Sequence, residues 1–404
     1  MNAPWSAPRA GAVRPEAEMA PTSGIVDVMS YGRGREGLIP LWAGEGDRPT
    51  PAFIADAAAR SLREGETFYT WQRGLPELRE ALARYHARLY ARDVAADRFF
   101  VTTGGMHAAQ IAIRIVAGPG DEVLVPTPCW PNFDGAITVA GARTVEVPMS
   151  VAADGWTLDL DRLASAITGR TRALVINSPA NPTGWTATPD DLRGILALAR
   201  RHGIWIIADE IYARFVYGPE RRSPSFKDVM AGDDRVLFVG TFSKNWAMTG
   251  WRIGWLEAPP ELGQVIENLV QYSTSGVPAF LQRGAIAALD EGDAFIGDQV
   301  ELAARGREAA CGGLRATGLV DLPWPRGAFY AFFSVHGAED TRRLAFRLID
   351  ETQVGLAPGT AFGAGGATHL RLCFLRRTDE VAEAVRRMAG ALPRLAAERA
   401  TPSG

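Results

Sequence analysis

Cysteine is scarce in this chain: Cys129, Cys311 and Cys373 are the only three in 404 residues, far apart and never in a C-x-x-C pair. That argues against a disulfide framework or a cysteine-based zinc site, and makes a reducing cytoplasm the expected compartment. Charge of one sign is also lacking. With 43 Lys and Arg against 46 Asp and Glu, the formal net charge is −3, which offers no broad field to draw in nucleic acid or an acidic membrane. No apolar run approaches the roughly 18 residues of a membrane span. The first 24 residues carry charges, and prolines at 4, 8, 15 and 21, where a secretory signal would be apolar, so they read as a disordered arm.

What is present is ordinary for a globular protein, 47% hydrophobic and 22% charged, in a chain long enough for two domains with substantial cores. From Phe99 onward short apolar runs alternate with helical periodicity. Strands are expected at 99–103, 122–126, 143–148, 172–177, 204–209, 236–240 and 252–257. This alternation predicts an α/β fold, a mostly parallel seven-stranded sheet with helices on both faces. Ligands of such sheets gather at the carboxyl ends of the strands. Helices are expected over 51–64, 75–90, 106–116, 262–269, 278–289 and 293–316, and another begins at the Thr188-Pro189-Asp190-Asp191 cap and stops at Gly203. Gly32 to Gly37 spell G-x-G-x-x-G, but the run continues into Leu38-Ile39-Pro40 rather than opening a helix, so it is read as a glycine-rich loop and not as a nucleotide site.

The chemistry concentrates in Gly240–Trp255. Lys244 follows an apolar strand directly and sits among small residues, where its ammonium loses solvation and the amine becomes a nucleophile towards an aldehyde. Hydroxyls at Thr241 and Ser243 and a guanidinium at Arg252 are groups that a phosphate requires. An aldehyde site beside a phosphate site describes pyridoxal phosphate. Two further segments fit. Thr102-Thr103-Gly104-Gly105-Met106 leaves a strand and opens a helix, whose free N–H groups suit a phosphate. The strand Trp205–Asp209 ends in a carboxylate, costly to bury without a cation such as a protonated pyridine nitrogen. A metal could serve instead, but no histidine or second carboxylate cluster accompanies Asp209. Trp130 emerges after another strand, where a flat indole can either stack on a ring or pack in the core.

Residues 243–254, Ser-Lys-Asn-Trp-Ala-Met-Thr-Gly-Trp-Arg-Ile-Gly, resemble the cofactor-lysine segment of the class I/II aminotransferases, the aspartate aminotransferase superfamily of fold type I, and the likeness runs from about Asp27 to about Arg387. The resemblance implies a large cofactor domain over 56–305 and a smaller α/β domain formed by both chain ends, 25–55 and 306–404. It implies that Gly105 and Met106 cradle the phosphate, that Trp130 covers the ring, and that Asp209 holds the ring nitrogen. Ile176 to Gly184 resembles the family's Asn-Pro-x-Asn-Pro-Thr-Gly signature with Ser178 added, so Asn181, with Tyr212, would bond the phenolic oxygen. Arg371 stands where the family binds the substrate α-carboxylate. Gly44 lies in a turn resembling the family's substrate-side loop, and with Asn181 and Trp130 would border the substrate. Tyr69 would reach across a homodimer to the partner's cofactor, and Thr274 would touch the partner's phosphate. No role attaches to His107, and His369 is read as structural.

The activity implied is ping-pong transfer of an amino group from an L-amino acid to a 2-oxo acid, with Lys244, Asp209 and Tyr212 catalytic. A lyase, decarboxylase or oxidase using the same cofactor has nearly the same parts and stays open. A cofactor-sensing transcription regulator would need a DNA-binding module, and only about 24 residues of arm precede the matching region. No second cation is assigned for a distal substrate carboxylate. Arg33 and Arg35 are loop candidates, while Trp42, Met106, His107 and Phe133 could shape a pocket for an aromatic, apolar or unusual side chain.

Overall fold

A computed structural model of the protein describes residues 13–152 and 155–397. Of the arm expected over the first 24 residues, 1–12 lie outside the described residues, and Pro15–Glu18 makes one helical turn. The seven expected strands all form: β1 Phe99–Thr102, β2 Glu122–Thr127, β3 Arg143–Pro148, β4 Thr171–Asn177, β5 Trp205–Asp209, β6 Val236–Thr241 and β7 Gly254–Glu257. They build one sheet in the order β1-β7-β6-β5-β4-β2-β3. Only β7 runs antiparallel, paired with β1 and β6. It starts two residues later than expected because Arg252 adopts a left-handed conformation, φ 53°, after the turn Thr249–Trp251.

Strand alternation sorts the core into two layers. Leu124, Leu174, Ile206 and Val236 stand side by side on one face and meet Leu192 and Ile195 of the helix Pro189–His202. Val123, Val125, Ala173, Val175, Ile207 and Leu237 point the other way, onto Ala108, Ile111 and Ala112 of the helix Gly105–Val116. Burial on both faces is why these strands read as unbroken apolar runs. The Thr188 cap forms as a capping box with Asp191, and Gly203 closes that helix in the left-handed conformation.

A second, four-stranded sheet joins Val320–Asp321, Tyr330–Val335, His369–Cys373 and Ala357–Pro358 in that spatial order. The start of the chain returns to this region. Ile39–Pro40 pairs in parallel with Val354–Gly355, and Cys373 N–H donates to the Leu41 carbonyl at 2.9 Å. The helix Gly24–Gly32 packs on the helix Thr341–Thr352. Periodicity did not suggest that first helix because it buries only Val28 and Gly32, although Ser23 caps it. The expected helix over 293–316 is regular only over Asp293–Arg307, then widens by one turn at Glu308–Gly312 before Gly313–Ala316. Gly32 to Gly37 make a helix end and a loop, and no helix opens from them.

Candidate active site

The carboxyl ends of β1, β4, β5 and β6 open onto a cavity of about 470 Å³, closed on the far side by Tyr330 and Arg371 of the smaller sheet. Lys244 follows β6 by three residues, and its Nζ donates to the Gly44 carbonyl at 2.6 Å. Gly44 leaves space that a side chain would take: a Cβ there would come within 2.4 Å of the Tyr330 hydroxyl, so one of the two would have to shift. Desolvation lowers the Lys244 pKa to about 8, which brings the neutral amine within reach of ordinary pH.

Asp209 closes β5 beneath the cavity and is almost wholly buried. Among the described residues its Oδ1 accepts only the Ile211 N–H, at 3.2 Å, and burial pushes its carboxyl up to about 7. A buried acid with so little hydrogen bonding is poised for a cation in the cavity. Its neighbour Glu210 is a local cap, accepting from the Ser225 hydroxyl at 2.6 Å and the Phe226 N–H at 3.0 Å. Tyr212 turns back over the site, its hydroxyl 2.8 Å from that of Tyr330.

At the opposite rim, β1 passes through Gly104 into the helix Gly105–Val116. Gly104 has φ 90° and ψ 170°, and a Cβ would lie 2.6 Å from the Arg252 guanidinium. The turn therefore admits glycine alone. Arg252 is held by the Thr249 carbonyl at 2.7 Å. The Thr241 hydroxyl donates to Ser243 Oγ at 2.9 Å, and both side chains line the cavity. Helix-start N–H groups, two hydroxyls and one guanidinium thus converge, a donor set matched to a phosphate. Trp130 and Met106 form the adjoining wall, with Trp130 edge-on to Phe133.

Arg371 is 2% exposed. It donates to Asn181 Oδ1 at 3.0 Å and to the Trp42 carbonyl, while its Nε has no partner and no carboxylate of the described residues pairs with it. The Asn181 loop is stapled to β5 by Asn177, which donates to the Asp209 carbonyl and accepts the Asn181 N–H.

The cofactor and substrate candidates therefore meet at one place except Tyr69, which is 95% exposed on the outside of its own chain, near Phe68 and Trp71 in sequence, while Trp42 and Phe133, the expected pocket walls, are buried and do not line the cavity. Thr274 is exposed as well. His107 lies off the cavity and has a defined task. Its Nδ1 accepts the Thr103 N–H at 3.2 Å, so Nε2 carries the proton and donates to Ser273 Oγ at 2.9 Å. Burial lowers its pKa to about 4, which keeps it neutral. His369 stacks on Phe332 at 4.7 Å. Arg35 bonds Asp350 at 2.5 Å and lies over the Tyr31 ring. Tyr330 and the wall residues Ile25, Val26 and Met29 escaped sequence reasoning. For Tyr330 no sequence signal exists, whereas Ser23 followed by Ile25, Val28 and Met29 is a cap with helical spacing.

A buried amine, a buried acid and an unpaired guanidinium around one cavity, at the carboxyl edge of a doubly wound sheet, belong to an α/β enzyme for a small anionic molecule. Comparison with known proteins makes this particular. The family described as aminotransferase class I and II matches residues 36–388. The aspartate/prephenate aminotransferase of Thermus thermophilus is 35% identical over 390 residues, 96% of this chain and 98% of its own. The crystal structure of aspartate aminotransferase from Thermotoga maritima superposes with a TM-score of 0.88 at 32% identity, covering 94% of this chain and all of that one. N-succinyldiaminopimelate aminotransferase from Mycobacterium tuberculosis also reaches 0.88, at 28% identity and the same coverage. The chain belongs to the class I and II aminotransferases, and it is an aminotransferase.

Proposed function

We propose that the protein uses pyridoxal 5'-phosphate to move an amino group from an L-amino acid to a 2-oxo acid in two half-reactions, as a cytoplasmic homodimer. The observation that carries this reading is the convergence of Lys244, Asp209, Arg252 and Arg371 on one cavity. The residues present fit the cofactor: a poorly partnered buried acid for its ring nitrogen, a glycine-only cradle for its phosphate, and an amine of lowered pKa for its aldehyde.

Bound there, the cofactor supplies an aldehyde that accepts the amino group and a ring that withdraws electrons from the substrate α-carbon. The Gly105 and Met106 N–H groups, Thr241, Ser243 and Arg252 would hold the phosphate. Asp209 would keep a proton on the ring nitrogen, and the ion pair would offset the cost of burying its carboxylate. Asn181 and Tyr212 would bond the phenolic oxygen, and Trp130 would cover one ring face and exclude water. Arg371 would take the α-carboxylate in a bidentate pair, with Asn181 and Gly44 bordering the same molecule. Lys244, once free, would take the α-proton and deliver it on the same side of the substrate.

The exposed aromatics Phe68, Tyr69, Trp71 and Tyr272 support the dimer, since so much bare aromatic surface favours a partner, and Tyr69 and Thr274 would enter the neighbouring site. The return of Ile39–Pro40 to Val354–Gly355 supports a small domain made of 25–55 and 306–404 beside a large one over 56–305. The test is to load the purified protein with the cofactor, add amino acids singly, and follow conversion of its spectrum from the pyridoxal to the pyridoxamine form. Ping-pong kinetics with a 2-oxo acid should follow. Conversion retained in Lys244→Ala, or sequential kinetics, would refute the assignment.

A further inference from the structure

This inference rests on the roles just proposed, and concerns the part of the cavity wall that they leave over. Among the described residues lining the cavity there are three cations, Lys244, Arg252 and Arg371. The aldehyde, the phosphate and the α-carboxylate take one each. The rest of the wall is uncharged apart from one residue: an apolar side of Ile25, Val26 and Met29 from the helix Gly24–Gly32, with Met106 and Trp130, and a polar one of Ser23, Asn132, Asn177 and Thr249. Ile25 and Met29 are one helical turn apart and share a face. The only lining charge left without a role is Glu45, whose carboxylate accepts the Thr249 hydroxyl at 2.7 Å. Arg33 and Arg35, the loop candidates for a fourth positive charge, do not line the cavity, and Arg35 is taken up by Asp350. Nor would the proposed partner bring an unpaired cation through its exposed aromatic loops: residues 67–71 and 272–277 contain neither lysine nor arginine, and Arg73, next along the first loop, is paired with Glu267.

We infer that the side-chain subsite takes an uncharged, apolar amino-acid side chain, aliphatic, thioether or aromatic, and discriminates against a distal carboxylate. A carboxylate there would lose water without gaining a cation and would face Glu45. An apolar side chain would be buried against two methionines, whose flexible thioethers adapt to branched, straight or aromatic shapes. The likeness to proteins named for aspartate does not decide the matter, since about two-thirds of positions differ.

The test uses the cofactor-loaded enzyme and single-turnover half-reactions with leucine, methionine and phenylalanine against aspartate and glutamate. The best apolar substrate should exceed both acidic ones by at least about 100-fold in kcat/KM, the discrimination expected when a site lacks the polar partner a substrate needs. Aspartate or glutamate reacting as fast would overturn the inference. If no amino acid of any class converts the cofactor, the cofactor reading itself fails and the inference with it. Binding gives a readout independent of turnover. Tryptophan fluorescence should report tighter binding of 4-methylpentanoate than of succinate, and the reverse order would overturn the proposal. Val26 is 56% exposed, so Val26→Lys should fold; it should raise the aspartate rate at least about tenfold and lower that of leucine. No gain for aspartate would show that this wall does not face the substrate side chain.

Discussion

Replacing Arg371 with methionine should separate catalysis from stability. The guanidinium is buried, donates to Asn181 and to the Trp42 carbonyl, and has an unpartnered Nε and no carboxylate partner among the described residues. An uncompensated buried cation costs several kcal/mol after relaxation. The rings of Tyr330 and Phe362, 4.8 and 5.0 Å from the guanidinium carbon, return about 0.5–2 kcal/mol each. Methionine removes the charge but strands two carbonyl oxygens, at about 1–3 kcal/mol apiece. These effects nearly cancel, so urea unfolding of the cofactor-free variant should differ from the parent by less than about 2 kcal/mol. Substrate recognition has no such offset. Two charge-assisted hydrogen bonds of about 1.5–3 kcal/mol each make a loss of about 10²- to 10⁴-fold in kcat/KM. Arg371→Lys keeps the charge without the planar fork and should fall between. A drop below tenfold, or a stability loss above about 4 kcal/mol with catalysis intact in the folded fraction, would refute the reasoning.

Further outcomes follow from other contacts. The chain has only two lysines, and Lys227 is buried in an ion pair with Glu257. Borohydride reduction of the loaded protein should therefore fix the cofactor to a single peptide, the one holding Lys244, by mass spectrometry; a label on Lys227 would contradict this. Asp209 titrates at about 7 in the folded protein against an ordinary 3.8, so its contribution to stability is present below 3.8 and is lost as pH rises through about 7. Cofactor-free Asp209→Asn should thus melt higher than the parent at pH 8, with the difference vanishing towards pH 4, and an equal gap at both pH values would exclude this cause. Gly104→Ala forces a side chain onto φ 90° and against Arg252. Such strain is worth about 1–3 kcal/mol, so the Kd for pyridoxal phosphate should rise at least about tenfold, measured by absorbance titration. An unchanged Kd would show that the turn does not hold the phosphate.

Six of the strands were legible because each has a short apolar run closed by glycine, proline or charge, and burial leaves little freedom in where such a run can go; β3, at the sheet edge, shows itself instead by alternation, Val145 and Val147 between polar residues. The ends were less so. β7 begins at Gly254 because a left-handed residue precedes it, a local conformation that residue type at 252 does not announce. The helix Gly24–Gly32 buries only Val28 and Gly32, too short an apolar face to stand out in the sequence. Lys244, Asp209, Asn181 and Arg371 could be singled out because each sits in a compact segment whose chemistry, or likeness to a family, is local.

Linear order had no means of specifying how those segments close on one another. The Lys244 amine meets the Gly44 carbonyl across 200 residues, Tyr212 meets Tyr330 across 118, and Arg371 meets Trp42 across 329. Those contacts exist because residues 39–45 and the smaller sheet both close over the carboxyl edge of the large sheet, and the pairing of Ile39–Pro40 with Val354–Gly355 also brings Ile25, Val26 and Met29 against the cavity. The residue pattern was thus sufficient for the sheet, for the amine and acid at its edge, and for the family. The state of the amine, the unpaired guanidinium, the neutral tautomer of His107 and the apolar character of the remaining wall depend on which groups are desolvated together, and packing between distant segments alone sets that.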